Sequence, residues 1–191
     1  MDIGSILSGA NLFDLVTFLS LFAAFLIGFM QGTIRRLLGI LAMVFSFFLA
    51  ANLKEPLGDF LGREWEQFPP QYGEMIGFLA IFGAAFIASS LVIQGSYKKV
   101  SLFEKYEWLD EIIGGALGVF EALMFLTFVT IILDSYFLLN LPKDIDELPF
   151  LRAFWEALDS SGTGNILHGT IIPRVVDIFG FLLPESIKEN Y

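Results

Sequence analysis

The chain has no cysteine and a single histidine, His168. The absence of cysteine excludes disulfides, thiolate metal sites and cysteine nucleophiles, and it leaves the redox compartment open. Charge is also scarce. Asp, Glu, Lys and Arg make up 17% of the residues, where an ordinary soluble domain has about 25%. What charge there is runs acidic, 21 Asp and Glu against 11 Lys and Arg, for a net charge of −10. That balance excludes nucleic acid as a partner, because a phosphate backbone needs a basic surface. Catalytic signatures are missing too: there is no Walker loop, no His-Glu-x-x-His, no Gly-x-Gly-x-x-Gly and no Gly-x-Ser-x-Gly elbow. Ser160 or Ser161, His168 and Asp177 could be assembled on paper into a hydrolase triad. The segment after residue 133 is too short for the usual triad scaffolds, so that reading is set aside. No catalytic residue, cofactor or metal is expected. The first residues lack the Lys or Arg of a signal peptide and are followed by too long an apolar run, so they are expected to be retained.

In place of charge there is hydrocarbon. Hydrophobic residues make up 55% of the chain, 22 of them phenylalanine, and the mean hydropathy is +0.70. A chain with so little polar surface cannot cover itself in water. The most telling stretch is residues 112–133, apolar apart from Glu121 and entered through Leu109-Asp110-Glu111. As a helix it is ~33 Å long, enough to cross the hydrocarbon core of a bilayer. Three further stretches qualify, at residues 12–30, 37–53 and 75–94. Asp14 is expected at the headgroup level, and a short 37–53 span is helped by snorkelling of Arg35 and Arg36.

Only a tight hairpin, residues 31–36, separates the first two spans. The second connection, 54–74, carries Pro56, Pro69 and Pro70 and reads as a loop. The third, 95–111, has apolar Val100, Phe103, Tyr106 and Leu109 at helical spacing, which predicts an amphipathic helix on the membrane surface. Beyond residue 133, 150–158 is a short helix. Residues 170–183 form an apolar segment with a polar stripe of Arg174, Asp177 and Gly180, read as interfacial or re-entrant, with a fifth span left open. The expected fold is therefore all-α: a four-helix transmembrane bundle (1–133) and a short acidic extracytoplasmic tail (134–191) with a C-terminal amphipathic interfacial helix. Basic residues crowd the first and third loops (Arg35, Arg36, Lys98, Lys99 and Lys105), so those loops are placed in the cytoplasm and both termini outside it.

Small residues mark the packing faces. Gly28 and Gly32 close the first span, Ala80, Ala84 and Ala88 line the third, and Gly114, Gly118 and Ala122 line the fourth. Such spacing lets helices approach closely, either within one bundle or between copies in a homo-oligomer. Glu121 falls on the same face as Gly114 and Gly118, near a bilayer midplane. A carboxylate there costs about 2.5–3.5 kcal/mol on insertion scales, so it must face the bundle or a wet cavity. It reads either as a step in an ion or proton path or as a hydrogen-bonded structural group, with Thr127, Ser89 or Ser90 as candidate partners.

Two of these segments together resemble the colicin V production protein family of bacterial inner-membrane proteins. Gly28-Phe-Met-Gln-Gly32-Thr-Ile-Arg35 is similar to that family's Gly-x-x-Arg-Gly-x-x-Arg-Glu hairpin. Leu109-Asp110-x-x-x-Gly114-x-x-x-Gly118 is similar to its Leu-Asp-Arg-x-x-Gly-x-x-x-Gly-x-x-Arg-Gly entry to the fourth span, which makes Asp110 a family-motif residue. The chain departs from the pattern at Gln31 and Glu111, where the family has basic residues. It departs again at Arg36, where the family often has an acid, and at Glu121-Ala122, where Arg-Gly is common. The resemblance implies a non-enzymatic inner-membrane protein with an accessory or scaffold role in toxin production or export and envelope maintenance. Its implied partners are the lipid bilayer and a membrane or envelope protein. Arg35 and Arg36 are expected to anchor the hairpin to anionic lipid. The competing reading is a small ion or proton channel or transporter that uses Glu121.

Overall fold

The computed structural model describes residues 11–64, 70–96, 102, 106–138 and 149–179. Four long helices dominate them: α1 (Leu12–Gln31), α2 (Thr33–Glu64), α3 (Pro70–Ser96) and α4 (Glu107–Phe137). Each is long and apolar enough to cross a membrane, and no other described helix is. Shorter helices follow: α5 (Pro149–Asp159), α6 (Gly162–Ile166) and α7 (Ile172–Phe179), the last two joined by a wide π-turn over Leu167–Ile171. The protein is an all-α membrane protein.

The α1–α2 hairpin is tighter than its sequence predicts. Gly32 alone makes the turn, at φ 78° and ψ 173°, and its N–H returns to the Gly28 carbonyl. No other described residue has a positive φ, and a side chain at Gly32 would be strained there.

α4 is the central helix. Half of its most apolar window is buried, against 11% for α1, because α4 packs on all three other long helices. α2 and α3 form the most extensive pair and both pack on α4, while α1 packs chiefly on α4. The shared core is aromatic. Phe47 of α2 stacks on Phe128 of α4 at 4.0 Å between ring centroids and meets Phe78 of α3 edge-on at 5.2 Å. Tyr72 and Tyr136 close the same layer towards the far end of the bundle from the hairpin.

The loop expected at Pro56 is instead helix. α2 continues through it to Glu64, although a proline in a helix interior costs about 3 kcal/mol. Packing against α3 offsets that cost. Gly58 lies so close to Glu74 that an added Cβ would come within 2.8 Å of the Glu74 Cα, and Lys54 pairs with Glu74 at 3.3 Å. The alanine stripe of α3 also differs from expectation. Ala80, Ala84 and Ala88 are exposed, because α3 meets α2 through Met75, Phe78 and Phe82 on its opposite side. Ala84 is therefore not a packing residue within the bundle.

The C-terminal helices cap the end of the bundle away from the hairpin. The helix expected at 150–158 is α5. Of 170–183, the first two residues belong to the π-turn and 172–179 form α7, with Ile172 fully buried; Gly180 and the residues after it lie outside the described residues. Pro69 and the surface helix expected over 95–111 also lie outside them, apart from the ends of α3 and α4, Leu102 and Tyr106.

Candidate functional site

Close helix crossing sets the geometry of the membrane interior. Gly28 of α1 and Gly114 of α4 face each other backbone to backbone. A Cβ on Gly28 would collide with the Gly114 carbonyl oxygen, and one on Gly114 would come within 2.6 Å of the Gly28 oxygen and 2.9 Å of the Gly32 Cα. Gly118 meets the Ala24 carbonyl in the same way. Gly28, Gly32, Gly114 and Gly118 thus belong to one α1–α4 seam inside a single chain, as small-residue packing allows.

Beside that seam, Glu121 forms an ion pair with Arg36. The Arg36 Nη1 donates to the Glu121 Oε2 across 85 residues of sequence, and the two side chains are 13% and 9% exposed. Gly39, one turn after Arg36, makes room for the carboxylate: a Cβ there would lie 2.6 Å from the Glu121 Oε1. Arg36 therefore does not snorkel outward. It turns inward because an uncompensated carboxylate at that depth is costlier than a pair. Of the partners considered from sequence, Thr127 gives its hydroxyl proton to the Leu123 carbonyl within its own helix, and Ser90 lines a cavity that Glu121 also lines.

Arg35, the other hairpin cation, donates from Nη2 to the backbone oxygen of Gln94 at 2.9 Å and so caps the C-terminal end of α3. A cation at that end also suits the helix dipole. At the same end Thr33 Oγ1 donates to the Asp110 carbonyl at 3.0 Å, tying the hairpin to the start of α4. Asp110 is 1% exposed, and its carboxylate accepts the Leu102 N–H at 3.2 Å, which holds Leu102 at the start of α4.

A second polar cluster lies at the opposite end of α4. The Asp134 carboxylate, fully buried, accepts the Trp155 indole N–H at 2.7 Å and bonds His168 Nε2 at 2.8 Å. The π-turn brings His168 to this position, and its Nδ1 lies 3.8 Å from Asp159. Asp14 of α1 does more than sit at the headgroup level. It accepts the N–H groups of Gly162 (3.0 Å) and Thr163 (2.8 Å) and the Thr163 hydroxyl (2.7 Å), closing the first turn of α6. These contacts dispose of the paper triad. His168 faces Asp134 and not Asp177, Ser161 Oγ donates to the Leu158 carbonyl and accepts the Gly164 N–H, and Ser160 donates to Ala157.

Sequence reasoning thus found Glu121, the glycine seam and Asp110 but missed Gly39, Asp134 and the capping role of Asp14. Gly39 carried a signal, since it lies one turn beyond Arg35 and Arg36 in an otherwise bulky run. Among the described residues no group of His, Asp and Glu is arranged to hold a metal.

Two of the departures from the family pattern also fall on one contact. These two departures, Arg36 and Glu121, meet in the ion pair. Comparisons with curated proteins and with solved structures returned no match. A family model described as colicin V production protein matches residues 13–157, which takes in all four long helices, the glycine seam and the Arg36–Glu121 pair; the chain belongs to the colicin V production protein family.

Proposed function

We propose that this protein is a non-enzymatic inner-membrane component of colicin V-type toxin production or export, serving as an accessory or scaffold subunit and contributing to envelope maintenance. The observation that carries the reading is the state of its interior polar groups. Arg36 neutralises Glu121, Asp134 is held by Trp155 and His168, and Asp14 caps a helix. Each of these groups is spent on joining two elements, and a set of locked joints suits a scaffold. The family match supplies the pathway.

In this reading the α1–α2 hairpin faces the cytoplasm and both chain ends face outward, following the basic residues of the first and third connections. The C-terminal helices then form an outer cap available to an envelope partner. Purification of the tagged full chain from its native membrane in mild detergent, with intact-complex mass and identification of its components, tests the proposal. A different protein at fixed stoichiometry is the expected result. Recovery of this chain alone, together with ion flux in liposomes that Glu121→Gln abolishes, would replace the scaffold reading with the channel one.

A further inference from the structure

The way the helices pack leaves a trough. α1 lies on α4 along the glycine seam and scarcely touches α2 or α3, so a gap remains between α1 and the α2–α3 pair with α4 as its floor. The gap is a cavity of about 470 Å³, open along one side, and in size it falls within the range of small-molecule sites. Its walls are almost wholly apolar, with Val16, Leu21 and Ile27 on one side, Phe86 and Phe125 on the other, and Phe154 of the cap at its end. From Phe13 to Ile27 the α1 wall runs ~21 Å, more than the ~15 Å that one leaflet contributes to the hydrocarbon core.

At its hairpin end the trough runs into a second, polar cavity of about 170 Å³, the two sharing Ile27, Arg36, Phe86 and Glu121. Gln31, Arg35, Ser90 and Gln94 complete the polar cavity. It contains two guanidinium groups against one carboxylate, a surplus of positive charge. The Nε atoms of Arg35 and Arg36 are both buried and have no hydrogen-bond acceptor among the described residues. The surplus of positive charge in this recess suits an oxyanion, and guanidinium groups suit phosphate oxygens well.

We propose that this composite cleft binds one anionic phospholipid, with an acyl chain lying in the apolar trough and the phosphate against Arg35 and Arg36. A soluble anion would leave the trough empty, and a plain hydrocarbon would leave the positive recess unmatched. Only an amphiphile matches both halves at once. The outer face of α1, with Leu15, Phe18, Leu19, Phe22 and Leu26 exposed, puts the open side of the trough next to the bilayer that supplies the lipid. The positive surplus selects an acidic headgroup over a zwitterionic one.

The test reconstitutes the full chain in vesicles of equal phosphatidylglycerol and phosphatidylcholine, extracts it in mild detergent and reads retained lipid by native mass spectrometry. One phosphatidylglycerol per chain is expected. Arg35→Gln, which leaves the Arg36–Glu121 pair intact, should lower its occupancy about tenfold, the value of one charge-assisted hydrogen bond. Ser20→Phe, which fills the trough without changing charge, should remove it. Equal retention of the two lipids by the wild-type chain would overturn the proposal, as would phosphatidylglycerol retention that Arg35→Gln leaves unchanged; neither result depends on Ser20→Phe folding. Thermal stabilisation by inorganic phosphate equal to that by phosphatidylglycerol would also overturn it, in favour of a soluble anion. The readout is lipid occupancy, so it stands apart from whether an envelope partner is found.

Discussion

Neutralising one member of the Arg36–Glu121 pair is the most informative perturbation of this bundle. Both side chains are largely buried, at 13% and 9% exposure, so the survivor of a single substitution is left charged in a poorly hydrated place. Removing one partner of a buried pair costs about 3–5 kcal/mol. The polar cavity beside the pair can admit some water, so the low end applies, and Glu121→Gln should cost about 3 kcal/mol. Arg36→Met should cost a similar amount, about 3 kcal/mol, because it strands the carboxylate. The double variant Arg36→Met/Glu121→Met, which removes both charges, should lie within about 1 kcal/mol of wild type. Arg36→Glu/Glu121→Arg should likewise recover most of the loss that either of its single reversals causes. The assay is reversible unfolding by dodecyl sulfate in mixed micelles, followed by tryptophan fluorescence. Single losses below about 1 kcal/mol, or a double variant that equals the sum of its singles, would refute the claim that these residues act as a pair.

Other joints of the fold make separate predictions. Gly28→Leu should push α1 off α4, because a Cβ there meets the Gly114 carbonyl. Cysteines introduced on facing positions of α1 and α4 should then lose their disulfide cross-link, and the cysteine-free background makes this easy to read. His168→Ala should cost the buried Asp134 its bond to the imidazole, a loss of about 1–3 kcal/mol. Faster limited proteolysis of the C-terminal cap, with the four long helices unaffected, is the expected signature. Asp14→Ala should loosen the same cap by about 1 kcal/mol through loss of the α6 first-turn contacts, and the same proteolysis measures it. Tags on both chain ends should be digestible from outside intact spheroplasts; protection of both would invert the proposed orientation.

Much of this architecture is legible in the sequence because a bilayer makes simple demands. A helix that must satisfy its backbone in oil needs about 20 apolar residues, and four such runs are visible. The α1–α4 seam is legible for a related reason: only glycines allow backbones to touch, so Gly28, Gly32, Gly114 and Gly118 mark themselves. The continuation of α2 through Pro56 was not legible, because local propensity argues for a loop and only contact with Gly73, Glu74 and Gly77 overrides it. The outward turn of Ala84 was hidden for the opposite reason. Small residues permit close packing but do not compel it, and α3 had larger aromatic surface to bury elsewhere. Asp134 and His168 are 34 residues apart and meet through a π-turn that no spacing rule anticipates.

The ion pair shows how far the resemblance and the geometry reach when combined. Taken alone, Glu121 reads either as a proton-path carboxylate or as a structural group. Arg36 read by itself is an anchor. Their contact changes both readings, because each charge is neutralised by the other inside the bundle. A proton path depends on a carboxylate at a particular place and depth, and moving it to a different helix would displace the path. A register lock depends only on opposite charges meeting at one level, and it survives exchange of the partners. Gly39 fits the lock as well, since it opens α2 where the carboxylate of α4 must enter. The contact therefore favours a pair that holds α2 against α4 over a carboxylate that carries protons.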